Sequence, residues 1–462
     1  MKRGRGWLAA ALAALAVAGA TAATRLGPAV PPTGTTGEAV SSTWLCPHGG
    51  GPDWNATIEI ANPGDAPVQA RLMSSSAAGA KDLGRVDVPA HGEVLRQAPA
   101  RSRGASTRVD IFGGWAAVGW TISSRGSTSG LGAEPCTSEP GPSWFVVDAA
   151  TDRRTHPFLV VMNPFTSDAV IDVALFLSQR PPVRSDAWTD LPLDAGTSVA
   201  LDLAAKKSGA LGEEIIGTEV TATVGRIAAA SLSIRQGGGI RSVMATPALS
   251  DGWILPTAAG DGTGVLSLLV PTETPIRYST AQLSDEHGSR PQGTTDVRQA
   301  GTSAVWAQLG TGDASAVVVR VGEGGPVAAD LRTAGRRNDE AATGGAAMPA
   351  DAWVVLPTAF GLDPRPSLVL VNSGDADVSA TLTLLHQGGG GVGDALRVSV
   401  PARATLGVPG KFLRSDHTAA VLVVADGPVA ALGAGRAGSG DVARYAAALG
   451  VPVPVTALPA NR

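Results

Sequence analysis

Four tryptophans, Trp44, Trp144, Trp253 and Trp353, recur at intervals of 100, 109 and 100 residues, each opening a short apolar run: WLCP, WFVV, WILP and WVVLP. A repeat of about one domain length describes an array of similar units, each burying its own core, and not one large enzyme core. Three more landmarks recur in the same order. An alternating apolar strand ends 18 or 19 residues beyond each tryptophan, at Asn62-Pro63-Gly64, Asn163-Pro164, Pro271 and Asn372-Ser373-Gly374. Asparagine suits such a turn because its side chain accepts from its own backbone, and Pro or Gly after it stops the ladder. A second turn follows around Ala90, Ala195, Ala300 and Ala402. The last block starts at Gly114, Gly225, Gly325 and Gly427, after the β-branched runs RVDIF, EVTATV, AVVVRV and AVLVV. Two strands joined through glycine read as a hairpin that closes each unit.

Period-2 alternation with almost no period of 3.6 predicts an all-β chain of about six or seven strands per unit. The expected architecture is a tandem array of about four antiparallel β-sandwich-like units, with the leading tryptophan covering one end of each core. A propeller-like or toroidal arrangement of the four repeats is the alternative. The expected boundaries are 43–140, 141–249, 250–349 and 350–462, the last including a tail. Segments 124–143, 236–252 and 333–351, rich in Gly, Ser or small polar residues, read as linkers whose loops form a binding side. With 59 glycines and 33 prolines, the chain has turn formers enough for such a plan.

The N-terminus directs the chain outward. Lys2, Arg3 and Arg5 precede an apolar stretch from Trp7 to about Ala18, and Ala20-Thr21-Ala22 fits a cleavage site. Residues 1–23 are therefore expected to be a signal peptide or N-terminal membrane anchor, at the short end of what spans a bilayer. Residues 24–42, rich in Pro, Gly and Thr, read as a flexible stalk. The units are then exported, extracellular or on the outer face of the cytoplasmic membrane. An oxidising compartment favours a bond between the two cysteines, Cys46 and Cys136, which would tie the two ends of the first unit.

Chemistry is sparse. Net charge is −4 with no basic stripe, which argues against a nucleic-acid partner. The six histidines, His48, His91, His156, His287, His386 and His417, show no ligand spacing and read as exposed loop residues, so no metal is expected. Gly433-Ala-Gly435-Arg-Ala-Gly438 matches a dinucleotide fingerprint but lacks a surrounding βαβ unit, and Gly388–Gly391 lacks the Lys-Ser/Thr of a phosphate loop; no cofactor is expected. Adjacent carboxylates such as Glu213-Glu214 point to opposite faces and make no glycosidase dyad. Trp54, Trp115 and Trp120 stand outside the repeated positions and form the candidate binding surface, with core packing as the plain alternative. The loop Cys46-Pro47-His48-Gly49-Gly50-Gly51-Pro52-Asp53, replaced in the other units, is where a local ligand site is sought first.

The W-h-h-P openings, the N-P and VPA turns, the G-P-V-A-A blocks, the T-W-L-C-P start and the N-terminal membrane segment together resemble a family of exported actinobacterial proteins known only as a domain of unknown function. The resemblance implies an envelope-associated β protein. Relatives associated with glycosyltransferases imply a role with surface glycans, and no functional residue is carried over. The expected function is a non-enzymatic extracytoplasmic cell-envelope protein that binds an envelope protein or a surface polysaccharide through its β repeats. The alternative is an extracellular carbohydrate-active enzyme whose carboxylates converge across units.

Overall fold

In the first unit, β1 (Val40–Cys46), β2 (Asn55–Asn62), β3 (Val68–Ser76), β4 (Gly79–Val88), β5 (Gly92–Ala98), β6 (Ser106–Phe112), β7 (Ala117–Ser124) and β8 (Gly130–Pro135) form two facing sheets. Their orders are β1-β6-β3-β4 and β5-β2-β7-β8, all antiparallel. The computed structural model describes residues 40–124, 129–178, 180–236, 239–258, 263–285, 290–297, 301–308, 314–334, 340–356, 367–389, 395–408, 410–413, 418–437 and 444–459. The signal or anchor segment and most of the stalk lie outside the described residues. Among the described residues, no helix is long and apolar enough to cross a membrane.

The same two orders recur in all four units. In the second, Ser143–Ala149, Ile216–Val224 and Ala169–Leu177 make one sheet, with the fourth strand split into Val183–Arg184 and Leu191–Leu193. Ser198–Asp202, Thr155–Met162, Ala228–Arg235 and Gly239–Met244 make the other. In the fourth, one strand of 20 residues, Thr418–Ala437, runs through both sheets in place of two. The pattern is thus eight strands per unit, one or two more than the alternation predicts. The glycine block is also no hairpin: β6 pairs with β1 and β3 while β7 pairs with β2 and β8, so the chain arches from one sheet to the other. A hairpin and an arch both require glycine at the bend, and Gly113, Gly225 and Gly324 take positive φ there.

The leading tryptophans hold this arch. Trp44, Trp144, Trp253 and Trp353 each lie opposite a valine of the sixth strand, namely Val109, Val220, Val319 and Val423. In the last three units the indole N–H donates to the carbonyl just beyond the glycine bend: Ile227 at 2.8 Å, Val327 at 2.9 Å and Val429 at 2.8 Å. At the far end, the repeated asparagine is buried and joins two turns. Asn163 Nδ2 donates to the carbonyls of Ser167, Leu193 and Asp194, while its Oδ1 accepts from Phe165 N–H. Asn62 and Asn372 repeat the arrangement.

The sandwiches pack into one compact unit, Val40–Arg462. β8 lies against both Gly239–Met244 and Arg444–Leu449, and Glu340–Gly344 lies against the same two strands. The four eighth strands therefore surround a common axis and the fourth unit closes onto the first, a toroid built of sandwiches. Phe145, Val147 and Phe176 of the second unit share an apolar cluster with Leu269 and Ala328 of the third. Ala352, Val354 and Leu422 of the fourth join the core of the first. The segments expected to be linkers contain these axial strands. Their small residues are what the axis admits: a Cβ on Gly130 would stand 2.4 Å from Ile240 N, and one on Gly132 3.1 Å from Ser242 Cβ.

Cys46 and Cys136 form a disulfide with 4.7 Å between Cα atoms. It lies where the chain leaving β8 folds back onto β1, since Leu45 and Thr137 exchange backbone hydrogen bonds of 2.7 and 3.0 Å. The second unit places Val146 and Ala245 at the matching positions beside the Phe145–Thr246 bridge and closes without a disulfide. For a loop of 90 residues the chain-entropy contribution is at most about 4 to 5 kcal/mol. The double variant Cys46→Ala/Cys136→Ala is expected to fold with a lowered urea midpoint, by up to that amount in unfolding free energy.

Candidate functional site

The tryptophans nominated from sequence do not form a binding surface. Trp120 points inward from β7 and is fully buried in the first core. Trp54 is 6 % exposed, and the Arg103 guanidinium covers its ring at 4.7 Å. Trp115, at the arch, is half-buried with its ring edge-on to Trp44 at 5.9 Å. Trp115 lies in the bend before β7, so strand alternation does not relate it to Trp120, and both rings are turned to the first core. The Trp306 side chain lies outside the described residues.

The loop after Cys46 is likewise a packing element. Residues 46–51 are buried where the first unit meets the second. A Cβ on Gly50 would lie 2.1 Å from the Ala100 carbonyl oxygen, and one on Gly49 2.7 Å from Leu232 Cδ2, so the glycine run permits this close approach. His48 is fully buried, contrary to the expectation of an exposed histidine. The Gly49 carbonyl, 2.7 Å from Nδ1, can only accept, so Nδ1 carries the proton; Nε2 then accepts from the Thr107 hydroxyl at 3.0 Å. Burial lowers the His48 pKa to about 4, against which the Gly49 bond acts in the other direction.

Open surface chemistry gathers beside that loop. Arg103 stacks on Trp54 and, at 5.3 Å, on Phe158 of the second unit, while Nη1 donates to the Gly50 carbonyl at 2.6 Å. Phe158 in turn stacks face to face with His156 at 4.7 Å and 8°. His156 Nε2 bonds Asp202 at 2.8 Å, and this imidazole is about half exposed. The stack crosses the boundary between two sandwiches, with a depression on either side. One, of about 1010 Å³, is lined by Pro52, Asp53, Trp54, Asn55 and Arg101. The other, of about 650 Å³, is lined by residues including Asp152, Arg153, Arg154, His156 and Gln236. Guanidinium and amide groups thus face solvent on both sides of a rigid aromatic spine. Sequence reasoning reached Trp54 and missed Arg103, Phe158 and His156, which are distant in sequence and share no spacing.

Other polar groups are enclosed. Glu340 of the third unit bonds Arg235 and, at 3.0 Å, Arg241 of the second, an ion network near the axis. Glu93 and Glu59 are buried at the seam between the first and fourth units. Burial and then the Glu59 charge push the Glu93 carboxyl well above the usual carboxylate range. Gly433 and Gly435, the first two glycines of the apparent dinucleotide fingerprint, lie within a continuous strand, paired with Ala448 and Ala446, and make no turn; Gly438 lies outside the described residues. Gly388 N–H donates to the Glu93 carbonyl at 3.0 Å and serves the same seam; Gly390 and Gly391 lie outside the described residues, as do His287 and His417. Among the described residues, no three His, Cys, Asp or Glu side chains gather as a metal ion requires.

These features define a closed ring of four β-sandwiches whose open polar surfaces lie at its rim. Residues 105–411 match the model of a family of unknown function, DUF5719, and the chain belongs to that family. The match begins at the end of the Arg103 loop and covers three of the four arches completely, the arch of the first unit included. No curated protein matches the chain.

The buried His48 has a pH consequence. Its folded pKa lies below the unfolded value, so its contribution to stability is present above about pH 6.5 and is lost as pH falls toward 4. The span corresponds to about 3 kcal/mol. Urea unfolding of the wild type and His48→Gln between these pH values is expected to show a steeper acid-side loss in the wild type by about that amount.

Proposed function

We propose that this protein is exported and acts, without catalysis, as a binding module of the cell envelope whose partner is an acidic, hydroxyl-rich polysaccharide. The observation that carries this reading is the pair of guanidinium-lined depressions flanking the Trp54–Arg103–Phe158–His156 stack. Arginine and amide groups held at a rigid boundary bond carboxylates and hydroxyls at little ordering cost. An apolar protein interface is less well supported, because the exposed large apolar residues among those described, such as Val40, Leu211, Val224, Met348 and Val455, are scattered singly. Export is supported by the signal-like N-terminus, and the Cys46–Cys136 bond is consistent with an oxidising compartment.

The enzyme reading has one observation in its favour. Glu134 of the first unit and Asp330 of the third line one cavity. Its volume of about 170 Å³ and its largely apolar wall weigh against it, since sugar-sized sites occupy roughly 300 Å³ or more.

Immobilised protein incubated with fractionated envelope polysaccharides tests the binding reading. Retention of an acidic fraction is expected, with an affinity loss of at least about tenfold in Arg101→Ala/Arg153→Ala/Arg154→Ala, or about 1.4 kcal/mol. Those side chains lie on the surface, so the thermal midpoint should stay unchanged. Failure to retain any polysaccharide, or equal retention by the triple variant, contradicts the proposal.

A further inference from the structure

The geometry points to a second site: a pocket for a small organic ammonium ion at one end of the ring axis, where the ends of the eighth strands meet. All four units contribute to its wall. Glu134 comes from the first, Phe145 and Met244 from the second, Trp253 and Asp330 from the third, and Leu449 from the fourth. The cavity holds about 170 Å³, room for a ligand of a few non-hydrogen atoms. Exposed Pro247 and half-exposed Met244, Gly344 and Leu449 stand around it, so it opens to solvent.

Two independent features select a cation. Glu134 is buried to 4 % exposure, and its Oε1 has no hydrogen-bond partner although the side chain lines the cavity. A buried carboxyl oxygen without a donor is costly, and a donor brought by a ligand would remove that cost. The second feature is the wall itself. Phe145 and Trp253 offer aromatic carbon, and Val147, Val243 and Pro247 offer aliphatic carbon, to the non-polar part of such a ligand. A hard metal ion suits this wall poorly. Calcium takes about six to eight oxygen ligands, and no cluster of three ligating side chains is present among the described residues. An ammonium group needs one or two carboxylate oxygens and tolerates an apolar surround.

Protonation is coupled to this binding. Burial, and then the Asp330 charge, raises the Glu134 carboxyl well above its ordinary range, opposed by the Met244 backbone N–H. In the empty pocket the group is neutral over a pH range in which a free carboxylate is not. Entry of an alkylammonium ion converts Glu134–COOH into the carboxylate paired with the ammonium, and the displaced proton goes to solvent. Affinity therefore rises with pH until the raised pKa is reached, then levels off. The site is independent of the rim and of whatever polysaccharide binds there.

Isothermal titration of the full chain with n-butylammonium chloride, with butan-1-ol as the uncharged analogue and calcium chloride as the metal control, decides the matter. Butylammonium is expected to bind at least about tenfold more tightly than butan-1-ol at neutral pH. It should release protons, seen as a difference in heat between two buffers, and should weaken toward pH 5. Glu134→Gln, which keeps the side-chain shape, should reduce the affinity by a similar factor and abolish proton release. Circular dichroism checks that this variant folds; if it does not, the ammonium-against-alcohol comparison and the proton release of the native chain stand as the test. Equal binding of ammonium and alcohol, binding of calcium in their place, no binding, or an affinity unchanged in folded Glu134→Gln each overturn the proposal.

Discussion

Everything in this molecule depends on how each unit turns its chain from one sheet to the other. The sixth strand ends in one sheet and the seventh begins in the facing one, so the intervening glycine bend has no ladder of its own to satisfy its carbonyls. In three units the leading indole supplies a side-chain donor there, from Trp144, Trp253 and Trp353 to the carbonyls of Ile227, Val327 and Val429, of which the first two also accept from the backbone N–H of Gly141 and Ser250. The same bend residue also pairs with the start of the first strand in the second and third units, at Gly141 and Ser250. One large side chain thus fills the end of the core and clamps the crossover. The first unit departs from this: the Trp44 indole nitrogen has no partner, and Trp115 packs against that ring. That unit is the one that carries the disulfide.

Once the arch is fixed, the seventh and eighth strands follow in the second sheet, and the eighth reaches the axis. There the four sandwiches share a narrow space that small residues fill, with polar groups at the ends. The Arg235–Glu340–Arg241 network links the second and third units. The Glu134 carboxyl lies where the ends of the four eighth strands meet. The rim stack between the first two units lies on the outer surface and is held in place by core packing beneath it. Trp54 and Phe158 are more useful as supports that orient Arg103 and His156 than as contact faces.

The sequence made legible what depends on large or conformationally special residues. The tryptophan spacing gave four units, the Asn turns marked strand ends, and the cysteine pair predicted the bond that is present. Strands packed on the axis escaped notice because GLGAEP and EAATG carry none of the alternating bulk by which a strand is recognised. An arch and a hairpin look alike in sequence because glycine serves both, and only pairing distinguishes them. His48 stands among turn formers that suggest an exposed loop; its burial comes from the second unit pressing on the glycine run. The rim stack was invisible for a related reason: Arg103 and Phe158 meet through the packing of two units, which no local spacing encodes.

The claim that the indole donor locks the crossover is open to a direct comparison. Replacing each leading tryptophan by phenylalanine removes similar volume from every core but removes an N–H bond only in the last three units. Urea unfolding of Trp44→Phe, Trp144→Phe, Trp253→Phe and Trp353→Phe should show the first losing the least stability. The other three should lose about 0.5 to 1.5 kcal/mol more, the net worth of one buried hydrogen bond. Equal losses in all four variants, or the largest loss in Trp44→Phe, would contradict the account.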